Sequence, residues 1–270
     1  MAQATPPDPG FEPDGWSNRA RIGLLVPDRD VGPESEWSAM LPAGVSMHAS
    51  RFAFPVGEVA EGEKRLIGRD PVEFVARPGP LDAAVALLAD APVDAIALAF
   101  TSTSYIGGAG HDARLAARLG RSANGRPVLT TGEAIVAALR YLDPATVMLV
   151  DPPWFPAGLT GSGRAWLEGE GFAVSLAISA ALPSGQGNIR PDALYRWVKE
   201  NLADGTGAIV IGGNGFRAVG TVGRLERDLG VPVVTANTAL LWHTLRTLGL
   251  PTDEVTRYGG LFGPRSGIAG

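Results

Sequence analysis

Two short apolar runs in this chain break off at residues suited to holding an anion. The first, Asp94-Ala-Ile-Ala-Leu-Ala-Phe-Thr-Ser-Thr-Ser-Tyr105, ends in Phe100, Thr101 and Ser102. The second, Gly207-Ala-Ile-Val-Ile-Gly-Gly-Asn-Gly-Phe-Arg217, ends in Gly213, Asn214 and Gly215. Hydroxyls and backbone N–H groups at a strand end bind oxygen atoms without a charge of their own, so Thr101 and Ser102 can form a carboxylate cradle. The alternative is that they cap the next helix. Residues 212–215 can present a nest of backbone N–H groups, to which Asn214 adds an amide, or they make an ordinary glycine turn. A carboxyl pressed into an apolar cleft is tuned toward neutral pH, which would suit Asp30 to general acid or base work. The competing reading is a turn aspartate bonding its own backbone. Asp151 is its counterpart at a later strand end.

Other candidates are weaker. His48, His111 and His243 are too dispersed for a metal site, and only His111, close behind Gly107, is placed to reach a cleft. Arg217 could pair with an acid, although an arginine in the first turn of a helix is usually solvated. Trp154, Phe155 and Phe216 could wall a ligand or simply fill the core. Gly213-x-Gly215-x-x-Ala218 fits a loose dinucleotide fingerprint, but no acid ends the next strand to take a ribose hydroxyl. No nucleotide cofactor is expected.

The elements that position these residues alternate. Segments 21–27, 43–54, 93–99, 127–130, 146–150, 172–178, 208–211 and 231–234 read as strands, several of them continuously apolar as expected of strands buried on both faces. Helices are expected over 80–89, 113–119, 131–142, 163–169, 191–202, 218–229 and 238–248, with 58–79 charged and irregular at first. Such alternation predicts an α/β fold with parallel sheets and right-handed crossovers. Pro127-Val-Leu-Thr-Thr-Gly-Glu-Ala134 lines up with Pro232-Val-Val-Thr-Ala-Asn-Thr-Ala239, and Ile22-Gly-Leu-Leu-Val-Pro27 with Val147-Met-Leu-Val-Asp-Pro152. Ala95-Ile matches Ala208-Ile in the same order, which predicts a duplicated unit. The expected organisation is an arm over 1–20, a first lobe over 21–130 plus 236–270, and a second over 131–235, with one cleft between the lobes.

Composition narrows the function. The 270 residues carry a net charge of −5 with Lys and Arg scattered, which leaves no basic field for nucleic acid. There is no cysteine, which excludes disulfides and thiolate catalysis. No apolar run reaches the roughly 18 residues of a membrane span. The Pro-, Asp- and Gly-rich start lacks the apolar stretch of a secretion signal, so the expectation is a soluble, cytoplasmic protein with a flexible N-terminal arm.

These motifs together resemble the Asp/Glu racemase superfamily, in its branch of maleate cis-trans isomerases and arylmalonate decarboxylases. Ile22-Gly-Leu-Leu-Val-Pro27 followed by Glu34-Ser-Glu36 is similar to that branch's opening strand, loop and Glu-x-Glu. Thr101-Ser-x-Ser-Tyr105 resembles its Thr-Ser segment, and Tyr258-Gly-Gly-Leu-Phe262 its glycine-rich tail. The resemblance implies two pseudo-symmetric Rossmann-like, flavodoxin-like lobes, no metal or organic cofactor, a small carboxylic-acid ligand and a homodimer. It also places the branch's two cysteines at Phe100 and Gly213, where neither a phenyl ring nor a hydrogen can act as a nucleophile. The branch's loop asparagine is Asp30 here, and its tyrosine after the Val147 strand is Pro153. An anionic Asp30 facing a carboxylate disfavours maleate itself. The expected function is a cofactor-independent, cysteine-independent decarboxylase, lyase or isomerase acting on a small carboxylic acid. The alternative is a non-catalytic small-molecule-binding or regulatory descendant.

Overall fold

The computed structural model describes residues 16–55 and 66–264, so residues 1–15 of the expected arm and part of the irregular 58–79 segment lie outside the described residues. The first half runs β1 (Ala20–Pro27), α1 (Gly32–Met40), β2 (Val45–Phe52), α2 (Arg69–Ala76), α3 (Pro80–Asp90), β3 (Ala95–Leu98), α4 (Ser102–Gly107), α5 (His111–Gly120), β4 (Val128–Thr130) and α6 (Thr131–Leu142). The second runs β5 (Val147–Asp151), α7 (Ala157–Gly169), β6 (Val174–Ser179), α8 (Pro191–Glu200), β7 (Ala208–Ile211), α9 (Val222–Leu229), β8 (Val233–Thr235) and α10 (Ala236–Thr247).

The strands form two four-stranded parallel sheets of the same order, β2-β1-β3-β4 and β6-β5-β7-β8. The inner strands β3, β5 and β7 are buried along their whole length, as their unbroken apolar sequences require, whereas β2 and β6 are partly exposed edges. Register carries the duplication to single residues. Leu25 pairs with Leu98 and Val150 with Ile211, so Phe100 and Gly213 each stand two residues beyond the equivalent pair.

One apolar core spans both halves, joining Leu24, Trp37 and Tyr105 to Leu149, Trp166 and Trp242, and a smaller cluster backs each sheet. Across the halves α6 packs on α10 and α4 on α7. β4 and β8 run into their helices with no linker, because the last strand residue is also the helix cap. The Thr130 hydroxyl accepts from the Glu133 N–H, and the Thr235 hydroxyl accepts from the Thr238 N–H, in the second case with a full capping box. These junctions hold the strand ends still.

Two helices depart from the expected pattern. α2 buries only Val72 and Val75, a stripe too short to mark the charged 58–79 stretch as helical. α4 reads Ser-Thr-Ser-Tyr-Ile-Gly, a composition that favours turns, and owes its form to burial of Ser102 through Tyr105 between the lobes. α7 contains the expected 163–169 and extends back to Ala157 despite Gly158 and Gly161. Residues 219–221 form a 3-10 turn before α9.

Candidate active site at the strand ends

The C-terminal ends of β1, β3, β5 and β7 converge on a hollow of about 30 Å³ between the lobes. Asp30, Phe100, Thr101, Ser102, Gly213, Asn214 and Gly215 all line it, with Trp154 and Phe155 on the apolar side. A wider space of about 360 Å³ adjoins it, sharing Asp30, Phe54, Ile67 and Trp154 and reaching Gln186. Among the described residues no Lys or Arg lines the inner hollow. An anion there would be met by neutral donors alone.

Phe100 and Gly213 face this space in different ways. The Phe100 ring packs edge-on against Phe52 and Phe54, with centroids 5.6 and 5.1 Å apart, and so belongs to the first lobe's core as well as to the wall. Gly213 has φ +75°, and a Cβ added there would stand 2.8 Å from Cγ of Pro152. The left-handed backbone and the Pro152 ring together disfavour any side chain there.

Behind the wall lies a buried polar chain. The Thr101 hydroxyl donates to Asn214 Oδ1 at 2.7 Å, and Asn214 Nδ2 donates to Asn237 Oδ1 at 2.9 Å and to the Thr131 hydroxyl at 3.1 Å. Asn237 Nδ2 donates in turn to Glu36 Oε2 at 2.7 Å. Glu36 Oε1 accepts from the Ala218 and Val219 N–H groups at 2.7 and 3.0 Å. Burial pushes the Glu36 carboxyl up, against these hydrogen bonds and the charge of Arg217. The side-chain amide of Asn214 is therefore committed to joining the lobes, and its carbonyl accepts from Asn237 Nδ2 at 2.9 Å, which leaves its backbone N–H for a ligand. Ser102, 1% exposed, also lines the hollow.

Asp30 is held at the rim. Arg51, on β2, donates to the carbonyls of Pro27, Asp28 and Asp30 at 3.2, 3.4 and 2.7 Å, which shapes the loop that carries the carboxyl. Burial raises the Asp30 carboxyl to about 6, opposed by a hydrogen bond from Gln186 and the charge of Arg51. Near neutral pH it can both give and take a proton.

The remaining candidates lie off the hollow. Asp151 is fully buried on the core side, where the Tyr105 hydroxyl donates to its Oδ1 at 2.9 Å, and burial raises it to about 7. His111 packs on Gly107, and burial followed by Arg114 and Arg118 lowers its basicity. His48 is on the exposed face of edge strand β2, His243 stacks on Trp242, and Arg217 is exposed. Phe216 packs against Trp154 from behind. Thr131, Asn237, Arg51 and Gln186 were not singled out from the sequence. The aligned repeat contains Thr131 and Asn237 and could have found them, whereas a lone glutamine in a glycine-rich turn gives no signal. Among the described residues, no group of three or more His, Cys, Asp and Glu gathers where it could hold a metal ion, and no helix is long and apolar enough to cross a membrane.

Two like sheets delivering polar strand ends to one shared hollow define a two-lobed α/β protein with a candidate site between the lobes. The chain belongs to the arylmalonate decarboxylase family, whose model matches residues 79–262. It is 28% identical over 242 residues to a maleate isomerase of Nocardia farcinica, covering 86% of this chain and 91% of that one. Its fold is similar to that of the maleate isomerase Iso from Pseudomonas putida S16, with a TM-score of 0.80 at 24% identity over 91% of this chain and 99% of the other. A cysteine variant of Iso has been captured with maleate. A cysteine variant of the Nocardia farcinica enzyme carries a covalently bound succinylcysteine intermediate, with a TM-score of 0.77 at 26% identity over 90% of this chain and 98% of that one. This chain contains no cysteine.

Proposed function

We propose that this protein is a cysteine-independent enzyme that removes a carboxyl group from a small carboxylic acid, with Asp30 delivering the proton. The observation that carries the reading is Asp30 itself, an acid on the wall of the shared hollow that titrates near 6. Its relatives' chemistry on small acids supports the substrate class. One proton carrier suits decarboxylation, which needs one proton at carbon, better than racemisation, which needs carriers on two faces.

The substrate carboxylate would lie against Ser102 and the backbone N–H groups of 213–215, uncharged donors that stabilise the negative charge developing on an enediolate. The C–C bond to the departing carboxyl breaks, CO2 leaves, and its electron pair remains on the enediolate. Protonated Asp30 then transfers its proton to that carbon and regains one from water. Phe100, Trp154 and Phe155 exclude bulk water and disfavour the ionised carboxyl that departs.

The test is turnover of substituted malonic and related small acids, followed by CO2 release and by deuterium uptake at the product carbon in heavy water. Wild-type activity should fall as pH rises through about 6, and Asp30→Asn should lose on the order of 100-fold or more. Undiminished turnover in that variant would remove Asp30 from the mechanism. The tightness of the hollow, about 30 Å³, favours a second reading as a binding protein that has lost its chemistry. Acids that raise the melting temperature yet are never consumed would support it.

A further inference from the structure

The two carboxyl oxygens of Asp30 have different neighbours. Oδ1 accepts a hydrogen bond from Nε2 of Gln186, while Oδ2 lies 3.1 Å from where a Cβ on Gly215 would stand. Gln186 belongs to the other lobe, in the turn that follows β6. Its Oε1 accepts from the backbone N–H groups of Val31 at 3.1 Å and Gly32 at 3.3 Å. Those groups open α1, and Val31, at the N-cap, has no side chain able to accept for them. Gln186 thus caps a helix of one lobe from the other and holds that lobe's carboxyl with the same amide. Gly215 makes room for it, since a Cβ there would come within 2.6 Å of Gln186 Nε2.

The surroundings of Asp30 leave this contact unduplicated. The charged groups around it are Arg51 on β2, itself paired with Glu34 of α1, and Asp28 and Arg29 on its own loop. Residues 184–187 carry no charge. Among the described residues, Gln186 is the neutral side chain that donates to the carboxyl.

We propose that Gln186 is a positioning residue, which closes the lobes over the hollow and, by occupying Oδ1, sets how tightly Asp30 holds its proton and leaves Oδ2 to deliver it. This rests on reading Asp30 as the proton carrier. Donation to the ionised form favours that form and offsets part of the effect of burial. Because the donor comes from the opposite lobe, lobe closure and the acidity of Asp30 are one event.

The test needs no substrate. The Asp30 carboxyl is titrated by carbon NMR with labelled aspartate in wild type, Gln186→Leu and Gln186→Glu, its signal identified by loss in Asp30→Asn. Amide exchange at Val31 and Gly32 is followed in the same proteins. Leucine removes both halves of the contact. Glutamate keeps an acceptor for the two N–H groups but faces Asp30 with a like charge. Both variants should raise the Asp30 midpoint by about one pH unit or more. Exchange at Val31 and Gly32 should quicken about tenfold or more with leucine and stay close to wild type with glutamate. Matching midpoints in all three proteins would overturn the inference, as would unchanged exchange in the leucine variant. Failure to consume any acid would count against the proposed reaction alone, because neither readout depends on turnover.

Discussion

Asp151→Asn should gain stability relative to wild type as pH rises from 3.8 to about 7. Asp151 is wholly enclosed, and burial, partly opposed by the Thr160 and Tyr105 hydroxyls, raises it from 3.8 to about 7. The sign follows from proton binding. Between 3.8 and about 7 the unfolded chain has lost this proton while the folded one keeps it, so stability falls as pH rises through that interval and levels off above it. The full penalty is about 4 kcal/mol, of which the part between pH 5 and pH 8 is about 3 kcal/mol. An amide cannot ionise, so the variant escapes it. Any cost of placing an NH2 at the Oδ2 end, which has no hydrogen-bond partner among the described residues, is common to both pH values and cancels in the difference. Urea unfolding of both proteins at pH 5 and pH 8 measures this. The variant's stability relative to wild type should be about 3 kcal/mol better at pH 8 than at pH 5, roughly 6–12 °C in melting temperature. Equal differences at the two pH values would refute the reasoning, because they would mean that the carboxyl titrates alike in folded and unfolded chains.

Two other perturbations test the site's construction. Gly213→Ala should cost about 1–3 kcal/mol in urea unfolding, since the residue has φ +75° and its Cβ would press on Pro152. Asn214→Leu removes the amide that joins Thr101, Thr131 and Asn237, and should cost about 3–5 kcal/mol while speeding amide exchange at the starts of α6 and α10.

Much of this architecture was legible because strands buried on both faces announce themselves as unbroken apolar runs. The duplication was legible because Pro127 to Ala134 and Pro232 to Ala239 retain a shared strand-to-helix junction, with Thr130 and Thr235 capping alike. Locating Phe100 and Gly213 at matching positions needed only the register of those runs. What could not be read was anything that depends on a partner from the opposite lobe. Glu36 is visible as part of a motif, but its bonds to Asn237, Ala218 and Val219 cross about 180 or more residues of chain. Gln186 and Arg51 act through carbonyls and N–H groups, which every residue has and no side-chain pattern marks. α4 escaped notice because Ser102, Thr103 and Ser104 favour turns, and only the walls around them make a helix of them.

The left-handed bend at Gly213 bears on which side chains the position can ever take as well as on packing. A codon change that put a thiol at that position would meet a main chain suited to glycine and a proline ring in the way. Thiol chemistry could arise there only through a concerted rebuilding of the strand end and the loop beside it.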